Sequence, residues 1–468
     1  MIPTRPLEPD DEQWRKLAAI TVDHLAAVLR DLPAAPAAVL DATAEVLADP
    51  MLRRMPPEHG RPLPELLDTL VRAAQPGLNP SSPGYLAFIP GSGLVSAGLA
   101  GLVADVLNRY TGLAAPAPGF VALESDLLRW LADLFGLPPT AGGLFTSGGS
   151  LAAFSALVAA REDRLPEDFR RGTLYVTDQA HASVAKAARL AGFPRDAVRV
   201  VARDPRHRMD PDALARLVRA DRDGGRVPFC VVATAGTTNL GTIDPLPEIA
   251  AVCRREELWL HVDGAYGAAF QLTARGRERL RGIEHADSIV LDPHKGFFLP
   301  FGTGCLLVRD TAPLQAAHAG DEAHYLQDLA GQELPDFADL GPELTRGFRG
   351  IRLWLPLHLH GVAAFRATLD EKLDLAAWAH DELAAEPALT VLGRPELTIV
   401  GFRCARSDDR DAATAELLAR VDAERRVFLS STRVDGRFVG RIAILNHRTD
   451  RERVAEAVEA IRRHARAL

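Results

Sequence analysis

The chain has 468 residues, 47% of them hydrophobic and 25% charged, the composition of a globular protein with room for a large core and two or three domains. Its formal net charge of -8, its pI near 6.0 and the lack of a dense basic stripe exclude a general nucleic-acid binder and an anionic membrane surface as partners. Cys230, Cys253, Cys305 and Cys404 are isolated, without a CxxC pair, and read as buried free thiols of a reducing, cytoplasmic setting.

The acidic, Pro-rich start "MIPTRPLEPDDEQW" does not have the form of a signal peptide. Apolar spacing predicts a helix in "DEQWRKLAAITVDHLAAVLRDL" and a second in "LPELLDTLVRAA", with Pro-rich segments between them. Residues 1–85 therefore form a helical arm with too little core to stand alone, expected to pack on the main body or on a second subunit. No charge occurs between Arg72 and Asp105. The stretch "LAFIPGSGLVSAGLAGLVA" opens with a Pro-Gly-Ser-Gly break and is rich in small residues, so a buried strand or loop and then a close-packed helix is expected, not a membrane span.

From about Phe145 strands and helices alternate. "TLYVTD" precedes the helix "AHASVAKAARLAG"; "AVRVVA", the helix "PDALARLVRADRD", "PFCVVATA", the helix "PLPEIAAVCRREE", "LWLHVD", "SIVLD" and "GTGCLLV" follow. This is the pattern of an α/β domain with a mostly parallel sheet, placed at residues 86–350. Residues 351–468 read as a small C-terminal α+β domain: a long helix around "FRATLDEKLDLAAWAHDELAAE", strands "LTIVGFRC" and "GRIAIL", and the closing helix "RERVAEAVEAIRRHARAL".

In such sheets sites gather where strands end, so the polar residues there are the candidates. "TSGGS", Thr146 to Ser150, joins a strand to a helix; its backbone amides and Ser150 suit an anion, or the motif is a tight turn with an N-cap. It fits neither GxxxxGK[ST] nor the full GxGxxG spacing, which disfavours nucleotide binding by those routes. Asp263 ends the strand of "HVDGAYG", where a carboxylate either caps the next segment or faces a cationic ring nitrogen, with Gly264 and Ala265 leaving room for a flat ring. His181 in "DQAHASV" is either structural or a ring-stacking group, and Thr237 and Thr238 lie on a loop that also reads as an ordinary turn.

Lys295, in "LDPHKGFFLP", is the sharpest candidate. Of 54 basic residues only Lys16, Lys186, Lys295 and Lys372 are lysine. The other three fall in amphipathic helices and read as solvated. Lys295 sits at a strand end in apolar company, where an amine is suited to forming a Schiff base. A glycine-rich anion loop, a stacking His, a strand-end Asp and a strand-end Lys, in this order, describe a pyridoxal phosphate (PLP) site.

At these residues the sequence resembles the group II PLP-dependent amino acid decarboxylases, whose members act on aromatic amino acids, glutamate, tyrosine and diaminobutyrate. The resemblance runs from "SSPGYLAFIP" to "GRIAIL" and is most specific at "DQAHASVAKA", "HVDGAYG" and "DPHKG". It implies fold type I, with a mostly parallel seven-stranded sheet, and a homodimer with its sites at the subunit interface. By the same resemblance Lys295 carries the internal aldimine, Asp263 pairs with the pyridine nitrogen and His181 stacks on the ring. Gly149, Ser150 and His294 help hold the phosphate, and Thr238 and Ala265 line the ring pocket. Tyr85 and Phe88 stand where aromatic decarboxylases have pocket aromatics, which leans toward an aromatic or bulky L-amino acid; either ring also reads as core.

The sequence departs from the family at one place. Aromatic decarboxylases of animals and plants carry a proton-donating Tyr on a loop, eleven positions before the Phe of an Arg-rich segment. Here that position, counted back from Phe348, is Phe337, which has no proton to give. In related enzymes Phe at this place accompanies reaction with oxygen and release of an aldehyde. Tyr325, in "AHYLQDL", is a stand-in donor. Decarboxylation to an amine is the favoured expectation, with oxidative deamination to an aldehyde as the alternative. An aminotransferase or carbon–carbon lyase of the same fold is a further one. An aminotransferase would grip the substrate carboxylate with an Arg such as Arg441, whose strand context reads rather as structural. A non-catalytic nucleotide-binding module would have no use for Lys295 behind Asp263.

Overall fold

The structure is a computed structural model and describes residues 7–41, 44, 47, 48, 50, 52, 55–320, 334–405 and 407–468. Strands β1 (Ala38–Val39) and β2 (Gly77–Leu78) form a small antiparallel ribbon. The main sheet holds β3 (Gly142–Thr146), β4 (Gly172–Val176), β5 (Val198–Val200), β6 (Val227–Thr234), β7 (Trp259–Asp263), β8 (Ser288–Leu291) and β9 (Gly304–Val308) in the order β3-β9-β8-β7-β6-β4-β5. From β5 to β8 every pairing is parallel, and β9 runs against both β8 and β3. β4, β8 and β9 are buried along their whole length and β6 nearly so. Sheets covered by helices on both faces need apolar side chains on both, so their strands read as continuous apolar runs. Helix Gly149–Arg164, with a face of Ala152, Ala156 and Ala159, packs across this sheet.

A four-stranded antiparallel sheet follows, with β10 (Leu389–Val391), β11 (Ile399–Cys404), β12 (Ser430–Val434) and β13 (Arg437–Ala443) in the order β10-β11-β13-β12. Helices Arg410–Ala423 and Arg451–Arg466 pack with it around a second core. Helix Val362–Ala384 serves both cores: Phe365, Leu369 and Leu373 join the first, Leu375, Ala379 and Leu383 the second.

This placement corrects the reading of Lys372 as solvated. Its side chain is fully buried in the 362–384 helix, and its ammonium donates to Glu371 at 2.7 Å and to the Thr449 carbonyl. Burial holds its pKa below the usual lysine value, and Glu371 opposes that shift. Lys16 and Lys186 are exposed, as expected. The four cysteines are buried and free.

The segment Gly84–Leu86 crosses the divide that the sequence suggested at residue 85. The Phe428 amide donates to the Gly84 carbonyl, the Leu86 amide to the Phe428 carbonyl and the Ala443 amide to the Leu86 carbonyl, so this stretch is stitched to the C-terminal sheet, and Leu86 lies in its core. The uncharged stretch becomes helix Val95–Leu107. Its Ser96, Ala97, Ala100 and Gly101 face is buried, while Leu99, Leu102, Val103 and Val106 are exposed. No helix among the described residues is long and apolar enough to cross a membrane. Helix Asp11–Asp31 buries none of its residues, and Leu17, Val22 and Leu25 face outward.

Candidate active site

The ends of β3, β4, β6, β7 and β8 open on one side of the sheet, onto a cavity of about 300 Å³. Each end contributes something different. β3 runs into Ser147 and Gly148, and helix Gly149–Arg164 begins there, so the first amides of that helix, with no intrahelical acceptor, edge the cavity. Gly149 is closely packed: a Cβ there would lie 3.0 Å from a carboxylate oxygen of Asp292, which would have to give way by a few tenths of an ångström.

Beyond β4, His181 caps helix Ala182–Leu190. The Ser183 amide donates to His181 Nδ1 at 3.2 Å and the Ser183 hydroxyl lies 2.7 Å from the same atom. An amide can only donate, so in the neutral ring the proton sits on Nε2.

β6 ends at Thr234, and Gly236, with a left-handed φ of 97°, turns the chain so that Thr238 also lines the cavity. β7 ends at Asp263, whose Oδ1 accepts the Ala265 amide at 3.1 Å. After β8 come Asp292 and the single helical turn Pro293–Gly296 carrying His294 and Lys295. Lys295 Nζ lies 2.9 Å from Asp292 Oδ2. His294 donates from Nδ1 to the Thr303 carbonyl at 2.7 Å, and burial holds its pKa below the usual value, with Asp292 opposing and Lys295 adding to the shift.

The structure thus brings Gly149, Ser150, His181, Thr238, Asp263, Ala265, His294 and Lys295 to one cavity. It does not bring Tyr85 there. That ring is buried against Phe428, 6.0 Å between centroids, and burial pushes its pKa up to about 12. Nor does it bring Phe337. A short 3₁₀ turn, Phe337–Asp339, places that ring in the main core, 1% exposed, with the Arg346 guanidinium 4.8 Å above it. The position counted back from Phe348 is a packing residue in this chain, because the 3₁₀ turn folds its ring inward. Tyr325 lies outside the described residues.

Phe88 is half exposed, with a left-handed φ of 52° that a phenylalanine adopts only when held. Arg441 holds it. This guanidinium, 2% exposed, donates to the carbonyls of Phe88, Thr238 and Asn239 and to the Ser430 hydroxyl. It ties β13 to the cavity rim, and its burial lowers its pKa to about 10. Sequence reasoning gave no role to Asp292 or Thr234. The signal for Asp292 was present: three residues before Lys295, with Pro293 opening a helical turn, its carboxylate falls on the same side as the amine.

The polar atoms of this cavity suit PLP. Thr234 Oγ1 and Asp292 Oδ1 are buried without a hydrogen-bond partner, helix amides face the opening, and a carboxylate and an amine project from neighbouring strand ends. The sheet order and this site define a fold-type I, PLP-dependent enzyme. A profile of the pyridoxal-dependent decarboxylase conserved domain matches residues 49–405, and the chain belongs to that family of carboxy-lyases. It is 32% identical to an aromatic-L-amino-acid decarboxylase of Bacillus atrophaeus, over 97% of this chain and 96% of that one. It is 35% identical to an L-2,4-diaminobutyrate decarboxylase of Rhizobium meliloti, over 78% and 75%. The crystal structure of an Oryza sativa TDC with PLP and tryptamine superposes with a TM-score of 0.92, at 28% identity and over 99% of both chains.

Proposed function

We propose that this protein decarboxylates an aromatic or bulky L-amino acid and releases the amine. The observation that carries this reading is the convergence of Lys295, Asp263 and the 149–164 helix N-terminus on one cavity. Bound PLP supplies a sink for the electron pair left at Cα when carbon dioxide departs. Lys295 would hold the cofactor's aldehyde carbon. Asp263 would keep a proton on the ring nitrogen, and His181 would cover one ring face. The amides of Gly149 and Ser150, with His294, would take the phosphate. Phe88, which like Tyr85 does not line the cavity within this chain, is half exposed and has its carbonyl held by Arg441, and is the aromatic candidate for substrate contact once Tyr85 is set aside. The Bacillus relative and the tryptamine-bound neighbour support an aromatic substrate.

Phe337, buried beneath Arg346, gives no support to an oxygen-consuming variant of the reaction. The outward apolar face of helix Asp11–Asp31 is read as a homodimer contact. The test is incubation with a panel of L-amino acids, in air and without oxygen, with products identified by mass. Amine and carbon dioxide from an aromatic substrate, independent of oxygen, are expected. Keto acid, or aldehyde formed only in air, would displace this reading.

Asp263→Asn keeps the size of the side chain and removes its charge. Loss of one preorganised electrostatic contact costs roughly 2–4 kcal/mol of transition-state stabilisation. kcat/KM should therefore fall by roughly 30- to 1000-fold. A variant turning over at near-native rate rules out the proton-holding role.

A further inference from the structure

Asp292 is the group at the site with the least conventional surroundings. Its side chain is 3% exposed, yet it lies at the cavity floor beside the loop that would take a phosphate. Oδ2 is 2.9 Å from Lys295 Nζ and 3.7 Å from His294 Nε2, and Oδ1 has no hydrogen-bond partner. A Cβ placed on Gly149, the first residue of the anion-binding helix, would sit 3.0 Å from Oδ2 and 3.3 Å from Oδ1. An ionised carboxylate only accepts hydrogen bonds, so it cannot donate to a phosphate as an amide side chain would. Two like charges this near, away from bulk water, repel strongly. In the structure a cation answers the carboxylate. Lys295 is that cation, because His294 is turned to donate from its other nitrogen to Thr303.

We propose that Asp292 is a positioning residue that acts through Lys295, as the resting place of its Nζ whenever that nitrogen is not bonded to the cofactor. The proposal rests on the PLP reading above. When substrate amine takes the place of Lys295 on the cofactor, the released nitrogen carries a proton and swings to Asp292. The pair keeps the amine within reach for its return, and at the same time neutralises the carboxylate beside the phosphate loop. Phosphate binding and the Lys295 charge are therefore coupled through Asp292.

A double-mutant cycle on the full chain stripped of cofactor tests this, with inorganic phosphate as the probe and its affinity read by calorimetry. Lys295→Ala strips Asp292 of its partner and should weaken phosphate binding by roughly tenfold, by removing the cation that, among the described residues, screens the carboxylate. Asp292→Asn in that background should restore the loss. Asp292→Asn alone should change affinity by less than about threefold. The strong non-additivity is the expected result. If the two substitutions act additively, or Asp292→Asn weakens binding in both backgrounds, Asp292 is not the counter-ion of Lys295 and the proposal fails. Should the Asn variant not fold, Asp292→Ser in the Lys295→Ala background replaces it, with the same gain expected and its absence decisive. Failure of the PLP reading looks different: the native chain would then not take up PLP at all, whatever the outcome of the cycle.

Discussion

Lys295→Ala should lose decarboxylation altogether, by roughly 10³-fold or more, the scale reached when a nucleophile that works with its neighbours is removed. The folded chain should survive. The turn that carries Lys295 is fixed by its backbone, with the Lys295 amide donating to the Asp292 carbonyl at 2.8 Å and the Phe297 amide to the Pro293 carbonyl at 3.2 Å. The side chain itself contributes one ion pair, with Asp292. No other lysine can take over. Lys16 and Lys186 are exposed on helices and do not line the cavity, and Lys372 is locked between Glu371 and the Thr449 carbonyl. Borohydride reduction of the native protein with PLP should leave a stable adduct on the peptide containing Lys295, absent from the variant, with far-ultraviolet dichroism unchanged. An adduct of equal yield on the variant would move the site, and Lys372 would be examined next.

The strands of the main sheet were legible because burial on both faces makes them unbroken apolar runs, and a polar residue closing such a run announces a strand end. Asp263 was readable for that reason, and Lys295 as a rare lysine just past another such strand end; the structure places both at the same cavity. What failed depended on contacts between distant segments. Lys372 sits on a helix whose periodicity looks amphipathic, yet helix Val362–Ala384 is flanked by two cores and has little solvated face in its middle. Tyr85 lies in a run that looks like pocket lining, but its neighbour across the fold is Phe428, more than three hundred residues away in sequence. Strand β12 was missed because its alternation of buried and exposed residues, Ser430 to Val434, is written mostly in polar side chains. Phe337 was misplaced by counting along a segment whose conformation the count could not include.

That segment carries the second large effect. Arg346→Ala should destabilise the fold by roughly 3–5 kcal/mol, the cost of leaving one member of a buried ion pair uncompensated. Arg346 and Glu124 have side chains 1% and 0% exposed, and the guanidinium donates to Glu124 Oε1. It also donates to the Phe145 carbonyl at 3.2 Å and to the Thr111 carbonyl at 3.5 Å, and covers the Phe337 ring. Four pieces of chain meet on this one side chain: the loop at Thr111, helix Pro118–Leu134 through Glu124, β3 through Phe145, and the 3₁₀ turn through Phe337. β3 leads directly into Ser147 and Gly148, so a shift of Phe145 reaches the amides proposed to take the phosphate. The pair should accordingly matter for phosphate affinity as well as for folding. Removal of both charges tells the two roles apart. Arg346→Met with Glu124→Leu leaves no orphaned ion, and buried pairs replaced by apolar residues of similar volume are often close to neutral in stability. The double variant should recover most of the urea midpoint lost by Arg346→Ala, yet still bind PLP less tightly, because the Phe145 carbonyl has lost its donor. A single variant that loses less than about 1 kcal/mol would mean that water reaches the pair, as at exposed ion pairs. The anchoring of β3 would then have to come from the apolar core around Leu144 and Phe145 alone.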